Sequence, residues 1–250
     1  MAKYTMLFLN IMYPIIFLLL FIMPFVDPSL WISGIVFGWF FHWIVGSVII
    51  HRYITHRTFK VNKFLHNTFT ILSTLAYAGS SLAWASMHRV HHVTSDTDKD
   101  PHSPNKYKWW QLLGLSESLE NRQLELLNCK ELLVDKLHLI CHKYYVPINV
   151  MFLVLLSLIS LPVLVAYLIG MGYHIIGIFF STYVYHKKLP FQYRNYGVKD
   201  NSYNNLWSTL FFHGEAYHNN HHKNPSAISS AEKWYEFDMN RLFIRMISKK

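Results

Sequence analysis

Charge is what this chain lacks most. Charged side chains make up 15% of its 250 residues, against about a quarter in a typical soluble domain. With 52% of residues apolar, there is more hydrophobic surface than one water-facing domain can hide, which excludes a disordered or ordinary soluble protein. Cysteine is nearly absent. Cys129 and Cys141 lie twelve apart and make no CxxC, zinc or disulfide pattern and no iron–sulfur ligand set. Two reduced thiols are expected. Acidic residues are also few, 14 against 23 Lys and Arg, which leaves a formal charge of +9.

The missing charge is missing in blocks. No Lys, Arg, Asp or Glu occurs from Tyr4 to Val26, from Pro28 to Ile50, or over the 43 residues from Tyr144 to His186. A helix of about 20 apolar residues crosses the hydrocarbon core of a bilayer. The first two runs read as a helical hairpin turned at Asp27. The third reads as a second hairpin turned at Gly170-Met171-Gly172, since glycine punctuates helices. The expected architecture is an all-α integral membrane protein, one domain over 1–250, with four transmembrane helices in two hairpins at about 5–26, 29–50, 146–169 and 171–187. The first run is too long for a cleaved signal peptide and no small-residue cleavage site follows it. All Lys and Arg fall at Lys3, from Arg52 to Lys143, or from Lys187 onward. The positive-inside rule then puts both termini and the segments 51–145 and 188–250 in the cytoplasm. The basic face suits anionic headgroups and an acidic redox partner. Nucleic acid is excluded as a partner, because the basic residues flank spans and no DNA- or RNA-binding motif is present. Phe64 to Ala85, apolar but broken by polar residues, reads as an interfacial or buried helix. Trp109 to Lys143, with Leu112, Leu113, Leu119, Leu126, Leu127, Leu132, Leu133 and Leu137 at roughly helical spacing, reads as an amphipathic helical linker over the cytoplasmic face.

Histidine is abundant, and clustered. Of sixteen, eight form three boxes: His51-Arg-Tyr-Ile-Thr-His56, His88-Arg-Val-His91-His92 and His218-Asn-Asn-His221-His222. All fall on the predicted cytoplasmic side, next to the membrane. Positions i, i+3 and i+4 of a helix share one side, so two HxxHH helices present six imidazoles from two walls. Imidazole suits iron, zinc and copper. One HxxHH alone reads equally as a solvated helix face. Eight histidines exceed the four ligands of one zinc, so two metals are the natural count. Apolar substrate beside a metal pair suggests iron and O2 chemistry on a hydrocarbon. A bis-histidine haem would need ligands inside the spans, and the boxes are elsewhere.

Four stretches carry a resemblance: HRYITHRTF (His51–Phe59), WASMHRVHH (Trp84–His92), DPH (Asp100–His102) and the run from Asp200 to His222. In order and spacing the chain resembles the membrane fatty acyl desaturases, in particular their delta-9 branch. The resemblance implies a cytoplasmic helical cap carrying two iron ions, with O2 as co-substrate. It implies a cis double bond, at delta-9, placed in an acyl-lipid, acyl-CoA or acyl-carrier-protein chain. It adds His186, at the end of the fourth run, as a ninth metal ligand beside His51, His56, His88, His91, His92, His218, His221 and His222. It places Trp84 near the acyl tunnel. It puts Thr182 where the family has an Asn that holds a metal-bound water. Animal acyl-CoA enzymes resemble W-x-R-D-H before the middle box; here Trp84-Ala-Ser86-Met87-His88 lacks those charges, so an acyl-lipid or carrier-protein substrate stands level with acyl-CoA. With no cluster-binding cysteines, electrons are expected from a separate ferredoxin or cytochrome b5. A lipid hydroxylase or oxidase of the same metal type shares the hydrogen-abstraction step, and a metal-binding membrane transporter or sensor is the reading of a different class.

Metal-ligating imidazoles usually donate their second N–H to a carboxylate, carbonyl or water. Glu215, Asp96, Asp98 and Asp100 are candidates for that role, with Arg89 and Asn219 nearby. His213 is a further candidate for supporting a ligand. His102 is expected to hold a turn and His42 to pack inside a span or line a tunnel. His66, His138, His142 and His174 read as ordinary.

Overall fold

The computed structural model describes residues 2–112 and 126–249. Helix α1 (Ala2–Val26) turns sharply into α2 (Pro28–Phe41). The Asp27 carboxylate accepts the Leu30 N–H at 3.0 Å and Pro28 occupies the first turn, a cap that satisfies an orphan donor. The Trp31 indole N–H donates to the Leu20 carbonyl at 2.9 Å and ties the two helices together. Helix α2 runs without a break into a π-helix, His42–Thr55. Helices α3 (Lys63–Thr74), α4 (Ser81–Thr94), α5 (Trp109–Leu112), α6 (Lys130–Leu133) and α7 (Lys136–Lys143) follow. Then come α8 (Tyr145–Ile159) and α9 (Leu161–Thr182), a 3-10 turn over Val184–His186, and α10 (Thr209–Phe212), α11 (His218–Lys223) and α12 (Met239–Ile247). Among the described residues the only strand-like pairings are two isolated bridges, Tyr193 with Asn204 and Asn204 with Tyr217.

Among the described residues, three helical stretches are long and apolar enough to cross a membrane: Lys3–Val26, Pro28–Thr55 and Leu161–His186. A fourth exists if α7 and α8, bent by 75° to each other, count as one. The first two stretches cover the first two charge-free runs, and the second continues five residues past Ile50 to Thr55. The second hairpin differs. Gly170 to Gly172 do not turn the chain; they lie buried in the middle of α9. The break is at Ser160, which is fully extended (φ −168°, ψ 122°) just before Pro162 in the first turn of α9. As a result α8 has only 15 residues, and the helical stretch ending at His186 has 26. The expected limits 146–169 and 171–187 are therefore replaced. The glycines serve contact instead of turning: a Cβ on Gly38 would lie 2.7 Å from Gly170 Cα, and one on Gly170 would lie 2.6 Å from the Phe37 ring. Helices α2 and α9 touch backbone to backbone there.

Phe64 to Ala85 is two helices, not one. The turn between α3 and α4 is buried in the bundle: Tyr13 and Tyr167 hydroxyls donate to the Tyr77 and Leu75 carbonyls, each at 2.6 Å. The expected linker helix over Trp109 to Lys143 is several short pieces; Leu113 and Leu119 lie outside the described residues. Gly170→Val should force α2 and α9 apart, costing about 1–3 kcal/mol as overpacking does. Thermal-shift measurement on detergent-purified protein checks this, and an unchanged midpoint would show that the close approach does not matter.

Candidate metal centre

Each histidine box uses a different helical device. At about 3.6 residues per turn, the fifth residue of an α-helix lies about 140° round the axis, so His51 and His56 would face apart. In the π-helix, hydrogen bonds close i→i+5. The His56 N–H donates to the His51 carbonyl at 3.1 Å, and the two rings come to 4.8 Å between centroids. Helix α4 is capped by Ser80, whose hydroxyl accepts the Ala83 N–H at 3.2 Å, and it carries His88, His91 and His92. The six-residue α11 carries His218, His221 and His222. Helix α9 and its 3-10 extension deliver His186.

These nine imidazoles converge as two groups. One comprises His51, His56, His88, His92 and His221; the other comprises His91, His186, His218 and His222. In each group the ligand atoms all lie within 4.8 Å of one another. Both HxxHH helices split their histidines between the groups. Helix α4 sends the i and i+4 pair, His88 and His92, to the first group and His91 to the second. Helix α11 does the reverse, sending His218 and His222 to the second and His221 to the first. The structure thus brings the eight box histidines and His186 together.

The contacts within the groups fit a metal site. Nε2 atoms of His51 and His221, His221 and His92, and His92 and His88 are each 3.0 Å apart. An imidazole nitrogen has a single in-plane site, holding one proton or one lone pair. His221 Nε2 therefore cannot hydrogen-bond both neighbours, and neither can His92 Nε2. His218 Nε2 is in the same position, 3.0 Å from His186 Nε2 and 3.1 Å from His222 Nε2. A shared cation satisfies every contact. Donors at right angles 3.0 Å apart sit about 2.1 Å from a common centre, the ordinary metal–imidazole length, whereas a tetrahedral ion would hold them about 3.4 Å apart. Edge length and the five donors of the first group both favour a metal of more than four-fold coordination over structural zinc. Burial pushes the imidazoles of His88, His92, His218, His221 and His222 well below their ordinary pKa, so they are neutral and carry the lone pairs that ligation needs.

On the outer side, four Nδ1 atoms meet carboxylates. His91 contacts Asp100 at 2.9 Å, His186 contacts Asp96 at 3.0 Å, His222 contacts Asp200 at 2.9 Å, and His51 contacts Glu215. An Nδ1–H donated outward leaves the Nε2 lone pair pointing inward. Glu215 and Asp100 are buried, and burial alone would push both upward. Around Glu215 this is outweighed by His51, Arg52 and the Ser47 hydroxyl, which hold the carboxyl well below the usual range. Around Asp100, His91 and His102 bring it to about 2. Arg52 is wholly buried and donates to Glu215 at 3.3 Å, to Ser230 at 2.7 Å and to the Ala227 carbonyl at 3.1 Å.

The sequence profile of the family described as "Fatty acid desaturase" matches residues 28–238. The chain belongs to the fatty acid desaturase family. It is 31% identical over 220 residues to an sn-1 stearoyl-lipid 9-desaturase of Anabaena variabilis, covering 82% of this chain and 77% of that one. It is 32% identical over 201 residues to an sn-1 stearoyl-lipid 9-desaturase of Synechocystis sp., with 79% and 62% covered. It is 31% identical over 229 residues to an icosanoyl-CoA 5-desaturase of Limnanthes douglasii, with 88% and 62% covered. The chain thus spans about three quarters of the first relative and about three fifths of the other two.

The other residues singled out from sequence are sorted by the structure of this desaturase-family chain. Trp84 is buried and stacks on His88, with ring centroids 5.8 Å apart at 12°. It lines a narrow cavity with Ile50, Ala78 and Ile178; His51, His88, His218, His42 and His174 line the same cavity. Thr182, where the family has Asn, donates its hydroxyl proton to the Ile178 carbonyl at 3.0 Å, which leaves it only lone pairs to offer a water. His102 sits in the expected turn, its N–H donating to Asp100 at 2.8 Å. Asp98 is exposed, away from the imidazoles. Arg89 binds Glu131 at 2.6 Å and the Thr55 and Ile54 carbonyls, clamping α4 to the end of the π-helix. Asn219 accepts the Asn195 and Tyr196 N–H groups and so holds α11. His213 is not beside a ligand; its ring packs on Trp39 and Trp43. Sequence reasoning did not single out Asp200, which lies 22 residues before its partner His222, a separation at which no periodicity operates. Asp200→Ala should weaken metal binding about 10- to 100-fold, as loss of such partners does. Iron titration against a competing chelator measures this; unaltered affinity would remove Asp200 from the site.

Proposed function

We propose that the chain is an O2-dependent acyl-lipid desaturase that places a cis double bond, at delta-9, in a saturated chain. The observation that carries this reading is the pair of imidazole groups, five and four strong, opening on a cavity walled by Trp84, Ile50 and Ile178. The donor set fits two iron ions: neutral imidazoles suit iron, and the 3.0 Å edges fit more than four ligands per ion. When bound, the irons supply O2 activation and the power to take hydrogen from an unactivated methylene. The balanced reaction is R–CH2–CH2–R′ + O2 + 2e− + 2H+ → R–CH=CH–R′ + 2H2O.

The chain's own residues do the rest. The carboxylates of Asp96, Asp100, Asp200 and Glu215 orient four of the ligands. Burial of the two groups keeps bulk water from the reacting carbons. Trp84, stacked on His88, presents a flat apolar wall against which a methylene segment lies close to the first group. The electrons come from a separate carrier of ferredoxin or cytochrome b5 type, docking on the basic face. That face is cytoplasmic, with both termini, by the positive-inside rule. An acyl-lipid substrate is supported by the absence of Arg and Asp before the middle box and by the names of the two cyanobacterial relatives.

Expression in a desaturase-deficient host should yield new cis-monounsaturated acyl lipids, and purified protein should hold about two irons per chain, one for each imidazole group. His91→Ala and His221→Ala, one from each group, should each abolish product. Iron-loaded protein that forms no double bond with reductant and O2 supplied would defeat the desaturase reading, and an oxygenated product would redirect it to a hydroxylase.

A further inference from the structure

The basic residues place 188–250 beside the membrane, yet no Lys, Arg, Asp or Glu occurs from Asn201 to Gly214. The two ends of this stretch are pinned together. The Asn205 N–H donates to the Ala216 carbonyl at 2.8 Å, and Asn204 pairs with Tyr217. Between these points the chain leaves the metal groups and comes back, with α10 at its tip. The tip lies against the middle of two long apolar helices. The Trp39 indole N–H of α2 donates to the Leu210 carbonyl at 2.9 Å, and the Tyr173 hydroxyl of α9 donates to the Phe211 carbonyl at 2.8 Å. Two rulers give the depth. Trp39 precedes His51 by twelve residues, at most about 18 Å at helical rise. A Cβ on Gly172, next to Tyr173, would lie 3.2 Å from Ile16 and from Leu20 of α1. Ile16 lies thirteen residues beyond Lys3, about 20 Å along the helix. Side chains tilt toward the start of their helix. Helices α2 and α9 both start at the end remote from the metal groups, so the reach of these rings does not lessen the depth.

We propose that Leu206–Phe212 is a re-entrant wedge seated among the acyl chains of the leaflet nearest the metal groups. The inference is independent of the desaturase reading and rests only on α1, α2 and α9 crossing the membrane. Backbone enters hydrocarbon only when its polar groups find partners within the protein. Here side chains serve four carbonyls. Trp39 and Tyr173 serve Leu210 and Phe211, the Ser208 hydroxyl serves Asn205 at 3.1 Å, and the Thr209 hydroxyl serves Leu206 at 2.6 Å. Water would serve the same groups without such help. The outward side chains fit lipid. Leu210 is 74% exposed, and Leu206, Trp207 and Phe211 are exposed beside it. They continue the lipid-side face of α2, where Trp39 meets the exposed Phe40 edge to face, with centroids 4.9 Å apart. In water a contiguous apolar patch of this kind is an aggregation hazard. About 20 Å beyond Lys3, in a hydrocarbon core about 30 Å thick, it faces acyl chains. Helix α10 has only four residues and cannot span, so the wedge returns to the side it came from. Its inner face is closed by Phe212, which packs on Phe180 with centroids 4.5 Å apart. His218 follows Phe212 by six residues, so the wedge ties the third histidine box to a fixed depth in the bilayer.

The test uses the full-length protein in phospholipid vesicles. A fluorophore on Leu210→Cys should be quenched by nitroxide groups on the lipid acyl chains and spared by iodide in the water. Leu18→Cys, exposed on α1, and Lys199→Cys, exposed on the loop before Asp200, give the membrane and water limits. The depth read at Leu210 should match that of Leu18 to within one helical turn, about 5.4 Å. Unsubstituted protein labelled in parallel corrects for Cys129 and Cys141, which are both buried. Should the label disturb folding, the unsubstituted protein is footprinted instead. A carbene reagent dissolved in the lipid should then mark the peptide holding Leu206–Phe212, and hydroxyl radicals made in the water should not. Iodide quenching equal to that of Lys199→Cys, or marking by the radicals, overturns the inference and leaves the patch to a water-borne protein partner. Protection from both the lipid-borne and the water-borne reagent overturns it as well, because a second protein then covers the patch.

Discussion

Nine imidazole lone pairs aimed at two points inside the protein are the constraint on which the rest of this structure depends. Without a cation the arrangement is unfavourable. Neutral nitrogens 3.0 Å apart cannot all hydrogen-bond, and burial has removed the water that would otherwise serve them. A bound metal would turn that cost into folding free energy, because no such site exists in the unfolded chain. Most other polar features near the site can be read as consequences. The four carboxylates on Nδ1 fix which nitrogen faces inward. Arg52 lies beside Glu215 because a buried carboxylate needs a partner beyond one imidazole. Arg89 and Asn219 hold the two short helices at the spacing that the ligands demand.

Helical geometry explains how so few residues build two imidazole groups. In α4 and α11 the i and i+4 histidines stack on one face and the i+3 histidine leans toward its neighbour. Set against each other with the split reversed, the two helices bridge both groups. HxxxxH has no such property in an α-helix, and the chain solves this by continuing α2 as a π-helix, His42–Thr55, that carries the first box; such turns are frequent at functional sites. Gly38 and Gly170 let α2 and α9 touch backbone to backbone, and His42 and His174 meet between the π-helix and α9. Both rings line the cavity that also reaches His51, His88 and His218.

How much of this was legible in the sequence varied with the range of the signal. The eight box histidines were readable because their spacing is local and helical. His186 was not readable that way; it came only from resemblance, since a lone histidine at the end of an apolar run carries no pattern. Asp200 escaped for the same reason, because its partner is distant along the chain. The second hairpin was mislocated because a Gly-Met-Gly step is read as a break, whereas within a bundle glycine also allows backbones to touch. The true break, Ser160 two residues ahead of Pro162, is the quieter signal. His174 read as ordinary because its meaning lies in His42, 132 residues away.

One segment with no ligand in it belongs to the site all the same. Asn240, at the start of α12, donates to the Ser47 hydroxyl at 2.6 Å and to Glu215 at 3.3 Å. Ser230 accepts from Arg52, and its own N–H donates to Asp238 at 2.8 Å. Glu236 accepts from Asn195 and from Asn220 of α11. The segment from Ser230 to Asn240 therefore grips both the π-helix and α11, the two elements that carry His51 and His221. Buried charge and amide networks of this kind add little net stability, since desolvation consumes most of the gain. What they add is uniqueness of position, because any shift leaves a buried donor or carboxylate unpaired. For a centre whose ligand atoms must agree to within a few tenths of an ångström, that intolerance of displacement is worth more than stability, and it is why a ligand-free segment buries Ser230, Glu236, Asp238 and Asn240.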